Sequence, residues 1–541
     1  MQKPNLTQKD YTILGKGYQL RLPLNIEYMI PKDDSVRLLG QIVEELDLKE
    51  LYQTYSRIRE NSATPRQMLK IMLYAYMNRI YSSRGMESAC RRDVNFMYLL
   101  EGAPAPDHAT IARFRSLHFA PVSKIIMAKL TMLLKDCGEI SFENLFIDGT
   151  KIESVANRYT FVWKKSVDKN LKKMIGKIPD FVKRVEDDFG IRLIYGNEIH
   201  LRHLKRLRKM LKKLQDEEGI AFAHGTGRRK PPLQKAIEEL DSYLDRFKKY
   251  IHQLHLCGER NSFSKTDIDA TFMRMKEDHM GNGQLKPAYN LQFGVDSEYV
   301  VWAMVGPQPT DTTTLKPFLD EVRQHIGHTY RKIIADSGYE SEENYVYLEE
   351  NKQLAFIKPS NYEISKTRKY RTDISRRENM DYDPEHDCYI CRNGKKLNVI
   401  GERKSKSKTG YISVQTVYGC ESCDGCPYKT KCIKGHNSKI PLEERTKRLE
   451  VSKVFQQKRQ ECLDRIISDE GVQLRMNRSI QSEGAFADVK GDMEFRRFLT
   501  RGRQNVLAES ILLAMGHNIN KLHSKIQNEC CGSYLYKTKS A

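Results

Sequence analysis

Two short apolar runs that each end in an aspartate constrain this chain more than any other feature. Leu145-Phe146-Ile147 leads into Asp148, and Ile333-Ile334-Ala335 leads into Asp336. Runs of this length and composition read as buried strands. A third acid, Glu483, follows in residues 478–490, a stretch that reads as helix. Two strand-end aspartates and a helical glutamate suit a carboxylate cluster that holds two divalent cations for phosphoryl transfer. Held close together, three carboxylates repel one another unless cations lie between them.

The elements around the aspartates extend the pattern. Residues 288–296 and 299–306 read as strands joined by a short turn at Ser297 and Glu298, a hairpin. Residues 312–325 read as a helix, 331–335 as a strand and 353–358 as a further strand. With residues 161–262 set aside, the order is strand, strand, strand, helix, strand. That order fits an α/β fold with a ribonuclease-H-like (RNase-H-like) mixed-sheet core. The expected organisation is a helical N-terminal domain (1–135), a core built from 136–160 and 263–360, and a basic helical insertion (161–262). A cysteine-rich insertion (361–445), C-terminal helices that complete the core (446–525) and a tail (526–541) follow.

Charge narrows the partner. The 541 residues carry a net charge of +21, which calls for a polyanion or an acidic membrane surface. No apolar stretch approaches 18 residues, and the first residues lack the apolar core of a signal peptide. The expectation is a cytoplasmic, nucleoid-associated protein that binds double-stranded DNA, with no membrane partner. Residues 151–260 alone hold a net charge of +11. Within them, Leu233, Ile237, Leu240, Leu244, Phe247, Ile251 and Leu254 follow a heptad seam. Leu201, Leu204, Leu207, Leu211 and Leu214 form a second stripe, with residues 225–232 as the separator. This reads as a coiled-coil hairpin, and Lys205, Arg206, Arg208 and Lys209 are its candidate phosphate contacts. In the N-terminal helices, a capped segment from Asp107 carries Arg113 and Arg115, candidate DNA contacts of a helix-turn-helix-like module. An ordinary helical bundle with a solvated basic face accounts for the same spacing.

Six of the twelve cysteines lie between Cys388 and Cys432. The pairs Cys388/Cys391 and Cys420/Cys423, followed by Cys426 and Cys432, have the spacing of a Zn²⁺ site. Six thiols exceed one tetrahedral ion, and the spacing alone leaves open which four ligate. The lysines at 404, 406 and 408, in what reads as a basic loop between the pairs, and those after Tyr428, at 429, 431 and 434, make this region a candidate DNA clamp.

Near the third acid, Lys490 stands seven residues after Glu483, two turns along one helical face, where it would reach a phosphate beside the metals. Arg478, five residues before Glu483, falls off that face if the helix is continuous. At this point the chain resembles bacterial insertion-sequence transposases of the DDE type. The resemblance lies in Phe146-Ile147-Asp148-Gly149-Thr150-Lys151, in residues 289–296, and in Ile334-Ala335-Asp336-Ser337-Gly338-Tyr339. It continues in the arginine, glutamate and lysine at 478, 483 and 490, in residues 495–502 and 514–521, and in the end of the N-terminal domain at 107–115. It implies Asp148, Asp336 and Glu483 as catalytic residues and ligands of two Mg²⁺ (or Mn²⁺) ions, with Lys490 and Arg478 in support. It also implies Cys391, Cys423, Cys426 and Cys432 as ligands of a structural Zn²⁺, with Cys388 and Cys420 as alternates, and a homodimer as the active complex. Many relatives have an arginine four residues before the glutamate and a tyrosine three residues before that arginine. Here Ser479 and Met476 stand in those places, so that tyrosine's role is not carried over. The implied activity is metal-dependent cleavage at transposon ends and strand transfer into target DNA. Beside it stand a nuclease of the same fold without strand transfer, and a non-catalytic zinc-containing DNA-binding regulator derived from a transposase.

Overall fold

The computed structural model describes residues 29–57, 61–196, 198–224, 229–275, 283–435, 438 and 440–536. The first residues of the expected N-terminal domain, part of the 225–232 separator and the end of the tail lie outside the described residues. The central sheet is built from β1 (Asn144–Glu153), β4 (Thr271–Arg274), β5 (Leu285–Asp296), β6 (Tyr299–Gly306), β7 (Lys332–Ala335) and β8 (Leu354–Ile357). Its order is β4-β5-β1-β7-β8, with β6 also paired to β5. β1 runs antiparallel to β5 and parallel to β7, and β7 runs parallel to β8. This is the mixed α/β core expected from the apolar runs. Each predicted strand is present, and β4 is an addition. The β5–β6 turn has positive φ at Ser297 (57°) and Glu298 (72°), the left-handed pair that suits the twist of a two-residue hairpin.

The N-terminal helices do not pack apart from this sheet. Helix Pro65–Met77 starts sharply because Thr64 and Gln67 form a reciprocal capping box and Pro65 occupies the first turn. Nearly all of its side chains are buried, because the C-terminal helix Arg503–Gln527 packs against it and against β6. One apolar core therefore joins the N-terminal helices, the sheet and the C-terminal helices.

The helix that begins at His108 continues through a wide π-helical segment, Phe114–Phe119, into Ala120–Asp136. By length and apolarity alone, His108–Asp136 qualifies to cross a membrane, which corrects the expectation that no such stretch exists. Here it lies in the fold, and the Thr131 hydroxyl donates to the Val301 carbonyl at 3.0 Å.

This continuation also corrects the reading of Arg115. Two residues along a helix is more than half a turn, so Arg113 faces solvent and Arg115 turns inward. The Arg115 guanidinium donates to the Tyr81 carbonyl at 3.3 Å and lies 3.9 Å from the fully buried Glu509 carboxylate of the C-terminal helix. Arg115 is a buried structural cation and does not reach DNA bases.

The insertion rises from a two-stranded stem, β2 (Phe161–Trp163) and β3 (Ser262–Ser264). It holds three helices where the heptad stripes indicated two: Lys164–Phe189, Leu201–Glu217 and Pro232–Cys257. The added first helix contributes Met174, Ile178, Phe181, Val182 and Val185 to a separate apolar core. Its charged surface and its internal Pro179 obscure the seam. Lys205, Arg206 and Lys209 are exposed. Arg208 is half-buried and bonds Asp241 of the facing helix at 2.7 Å, so it ties two insertion helices together.

The cysteine-rich segment forms its own antiparallel sheet, in which the strands lie side by side in chain order. Its strands are β9 (Asp381–Asp383), β10 (Cys388–Ile390), β11 (Lys396–Lys406), β12 (Ile412–Cys420) and β13 (Arg448–Val451). The basic stretch that read as a loop is mostly strand, on the long β11–β12 hairpin.

Breaking a buried ion pair leaves an unpaired charge in the core and costs about 3–5 kcal/mol. Arg115→Ala is therefore expected to lower the unfolding free energy by an amount in that range, and the urea midpoint with it. An exposed change, Arg113→Ala, should leave the midpoint close to wild type. Equal midpoints for the two variants in urea unfolding would contradict this assignment.

Candidate active site

Asp148 lies within β1 and Asp336 is the first residue after β7. The parallel register pairs Ile147 with Ala335, so the next residue on each strand is the aspartate. Adjacent strands are about 5 Å apart, and the two acids leave the sheet side by side. Each carboxylate is tied to its own chain. Gly149 N–H donates to Asp148 Oδ1 at 2.9 Å, and Gly338 N–H donates to Asp336 Oδ1 at 2.8 Å.

The glycines after the aspartates are explained by space. A Cβ on Gly149 would lie 2.2 Å from Gln292 Nε2 and 3.0 Å from Asp311 Oδ1. A Cβ on Gly338 would lie 2.9 Å from Asp336 Oδ1 and 3.4 Å from Asp311 Oδ2. Side chains alternate along a strand, so Gly149 faces away from Asp148, and a polar network backs the site from there. Gln292 Nε2 donates to Asp311 Oδ1 at 2.8 Å, and Asn290 Nδ2 donates to the same oxygen at 2.7 Å. The buried Tyr339 hydroxyl donates to Gln292 Oε1. Burial, then the negative charges of Asp311, Asp148 and Asp336, push the Tyr339 phenol well above its ordinary range, with Arg478 opposing. The field of both strand-end acids, a third aspartate and the helical arginine thus reaches one buried phenol. Sequence reasoning missed Asp311. The available signal was Asn290 and Gln292, two amides two residues apart on one face of an otherwise apolar strand.

Glu483 arrives on the other face of β1. Phe293 is the register partner of Asp148, and Phe486 stacks on it with ring centroids 4.7 Å apart. The segment that carries Glu483 is therefore seated over the face to which Asp148 points. It is not a regular α-helix. After Asp469–Arg478 comes a π-helical turn, Ser479–Glu483, and after Gly484–Ala487 a second, Asp488–Asp492. A wide turn brings residues five apart onto one side. Arg478, expected off the face of a continuous helix, accordingly meets Glu483 Oε1 at 2.5 Å. Lys490 lies half-buried in the second wide turn, so its spacing from Glu483 is not two regular turns. Among the described residues, no three His, Cys, Asp or Glu side chains form a closed metal-binding group. The donor chemistry still fits divalent cations, because Asp148, Asp336 and Glu483 offer hard carboxylate oxygens on one side of the sheet.

The cysteines gather at the end of the second sheet. Burial, then Cys423, pushes the Cys420 thiol up to about 11, with Cys391 contributing. Burial raises Cys432 as well. The Lys447 ammonium opposes that rise, and Cys391, Cys423 and Cys426 add to it. Five thiols therefore influence one another, among them the four implied by the family resemblance. Clustered thiols are a fit for Zn²⁺, whose charge removes the repulsion between thiolates. Lys447 N–H donates to Cys423 Sγ at 3.4 Å. Cys388, buried in β10, stands apart from these interactions.

Filling the space behind Asp148 should destabilise the fold, whereas Gly484 has nothing within 4 Å of an added Cβ. Gly149→Ala is expected to cost about 1–3 kcal/mol through overpacking. Gly484→Ala, beside Glu483 in a helical segment, should gain about 0.5–1 kcal/mol. Chemical unfolding of the two variants checks this contrast, and equal effects would contradict it.

Comparison with known families adds two matches. Residues 390–523 match the family model described as Transposase DDE domain, and residues 24–117 match Transposase domain (DUF772). The first covers the thiol cluster, Glu483 and most of the C-terminal helix. Asp148 and Asp336 lie between the two matched segments. No curated protein and no solved structure gives a significant match. Two transposase family models matched at opposite ends of one α/β fold support an insertion-sequence transposase of the DDE type.

Proposed function

We propose that this transposase cleaves DNA at the ends of its element and joins those ends to target DNA, with Asp148, Asp336 and Glu483 as the catalytic acids. The observation that carries the reading is the register of β1 and β7, which sets two aspartates side by side, under a helical segment that brings the glutamate. Asp148 and Asp336 hold Mg²⁺ or Mn²⁺ from the sheet and Glu483 from above. Two such ions, when bound, activate the attacking oxygen and stabilise the leaving oxygen of an in-line displacement. The chain's own part is to fix the acids. Gly149 and Gly338 hold the aspartates by their N–H groups, Asp311 and its amides brace them from behind, and Arg478 positions Glu483. Lys490 is assigned to a phosphate near the site.

Duplex DNA lies across the exposed cations of the insertion, Lys205, Arg206 and Lys209, with Arg113 as a further contact. Two protomers form the active complex, each handling one end, in the cytoplasm at the nucleoid. Cys391, Cys423, Cys426 and Cys432 hold one structural Zn²⁺, and Cys420 is the nearest substitute ligand. Four thiolates close the site to substrate, so the ion stabilises the second sheet and takes no part in the chemistry.

Purified protein incubated with Mg²⁺, duplex end fragments and a plasmid should yield nicked ends and joined products. Asp148→Asn, Asp336→Asn and Glu483→Gln should each abolish both products while retaining end binding in a mobility-shift assay. Joined product from any of the three at the wild-type rate would contradict the assignment. For the thiols, elemental analysis should find about one Zn²⁺ per chain. Cys426→Ser should lose it and Cys388→Ser should keep it. The reverse result would move the site.

A further inference from the structure

We infer that the outer face of the β11–β12 ribbon is a contact surface for duplex DNA, an inference that rests on the DNA-acting reading above. The register pairs Lys404 with Val414 and Lys406 with Ile412. Because side chains alternate, these four residues share one face. Lys408 continues the two-residue step at the turn. All five are exposed, Ile412 at 56% and Val414 at 43%. The opposite face carries Ser405, Ser413 and Gln415, which are half-buried. The ribbon therefore has an inner polar side and an outer side on which, beyond the exposed Glu402 of the same register, Lys404 and Lys406 stand across from Val414 and Ile412.

The ribbon is held in place. At its tip, Tyr411 Oη donates to Glu342 Oε1 at 2.9 Å, and Ser407 Oγ and Thr409 Oγ1 donate to Glu343 Oε2. Both glutamates open the helix Glu342–Glu350, which begins six residues after Asp336. The outer face is thus fixed to the same core segment that carries the second aspartate. Arg403, on the inner register, is neutralised by Glu450 at 2.9 Å. Among the described residues, Lys404, Lys406 and Lys408 form no ion pair.

An exposed face that mixes unpaired lysines with β-branched residues needs a partner that accepts both. A second copy of the same face would set lysine against lysine across a two-fold contact. Duplex DNA accepts both groups. Phosphates take the lysines, thymine methyl groups take Ile412 and Val414, and the major groove admits a two-stranded ribbon.

The test uses the full chain and a linear duplex carrying the element's end, with affinity read by fluorescence anisotropy between about 50 and 200 mM salt. In the combined variant Lys404→Gln, Lys406→Gln, Lys408→Gln, the slope of log affinity against log salt should fall by about 2 to 3, at about 0.9 per lost phosphate contact. The matching triple Lys→Arg variant should restore the slope, which separates lost contacts from lost folding. Ile412→Ser with Val414→Ser should weaken binding and leave the slope unchanged. A wild-type slope in the Gln variant would overturn the inference. So would a Gln variant that keeps the slope but loses binding to anionic lipid vesicles, or that dissociates in light scattering. Mg²⁺-dependent cleavage by wild type is scored in parallel. Absence of cleavage with the slope change intact would sink the catalytic reading and leave this surface standing.

Discussion

The parallel pairing of β1 with β7 is the contact on which the site depends. Ile147 opposite Ala335 is a long-range contact, made only after the whole three-helix insertion and the β5–β6 hairpin have been passed. The entropy of closing so long a loop grows slowly with its length, so a large insertion is tolerated between the two strands. The pairing itself admits little error. A one-residue slip would turn every side chain of one strand to the opposite face, and Asp148 and Asp336 would leave the sheet on different sides. Leu145, Phe146, Ile147, Ile333 and Ile334, all fully buried, oppose that slip with the apolar surface it would expose. β5 on the other edge of β1 anchors the strand from its second side.

The third acid depends on the C-terminal helix. His517, almost fully buried on Arg503–Gln527, contacts Asp488 at 3.1 Å, five residues beyond Glu483. Asn518 of the same helix bonds the backbone of Val300 in β6 in both directions, at 2.8 Å each. Glu509 receives Arg115 from the N-terminal helices. A single helix therefore fastens the N-terminal helices, the β5–β6 hairpin and the segment that carries Glu483. The insertion and the cysteine-rich sheet project from this body with cores of their own. That is the arrangement expected where DNA contacts are to be added without disturbing the carboxylates.

Much of the core was legible because buried strands announce themselves. A short apolar run ending in Asp admits few readings, and β1 and β7 follow from such runs, while β5, β6 and β8 follow from apolar stretches alone. Asp148 and Asp336 stood out for the same reason, as acids where an apolar run stops. What was hidden depended on geometry that a regular repeat does not carry. The π-helical turn before Glu483 rotates Arg478 into contact, and a 3.6-residue period cannot show it. Arg115 looked like a surface cation because its acid lies almost four hundred positions away. The helix Lys164–Phe189 was masked by its lysines and by Pro179. Asp311 has no signature of its own, and only its two amide partners on β5 mark it. The lysines at 404, 406 and 408 read as a loop because Ser and Gly punctuate them, yet a strand facing solvent on its outer side tolerates such a composition.

The central claim is that Asp148, Asp336 and Glu483 face one divalent-cation site. Iron-directed backbone cleavage tests it without reference to DNA chemistry. Fe²⁺ loaded in place of Mg²⁺ and treated with ascorbate and peroxide releases hydroxyl radicals that cut the nearest backbone. The account expects fragments with ends near residues 148, 336 and 483 to appear together, and to disappear together under excess Mg²⁺. Cuts near only one of the three acids, or cuts that persist under excess Mg²⁺, would contradict it.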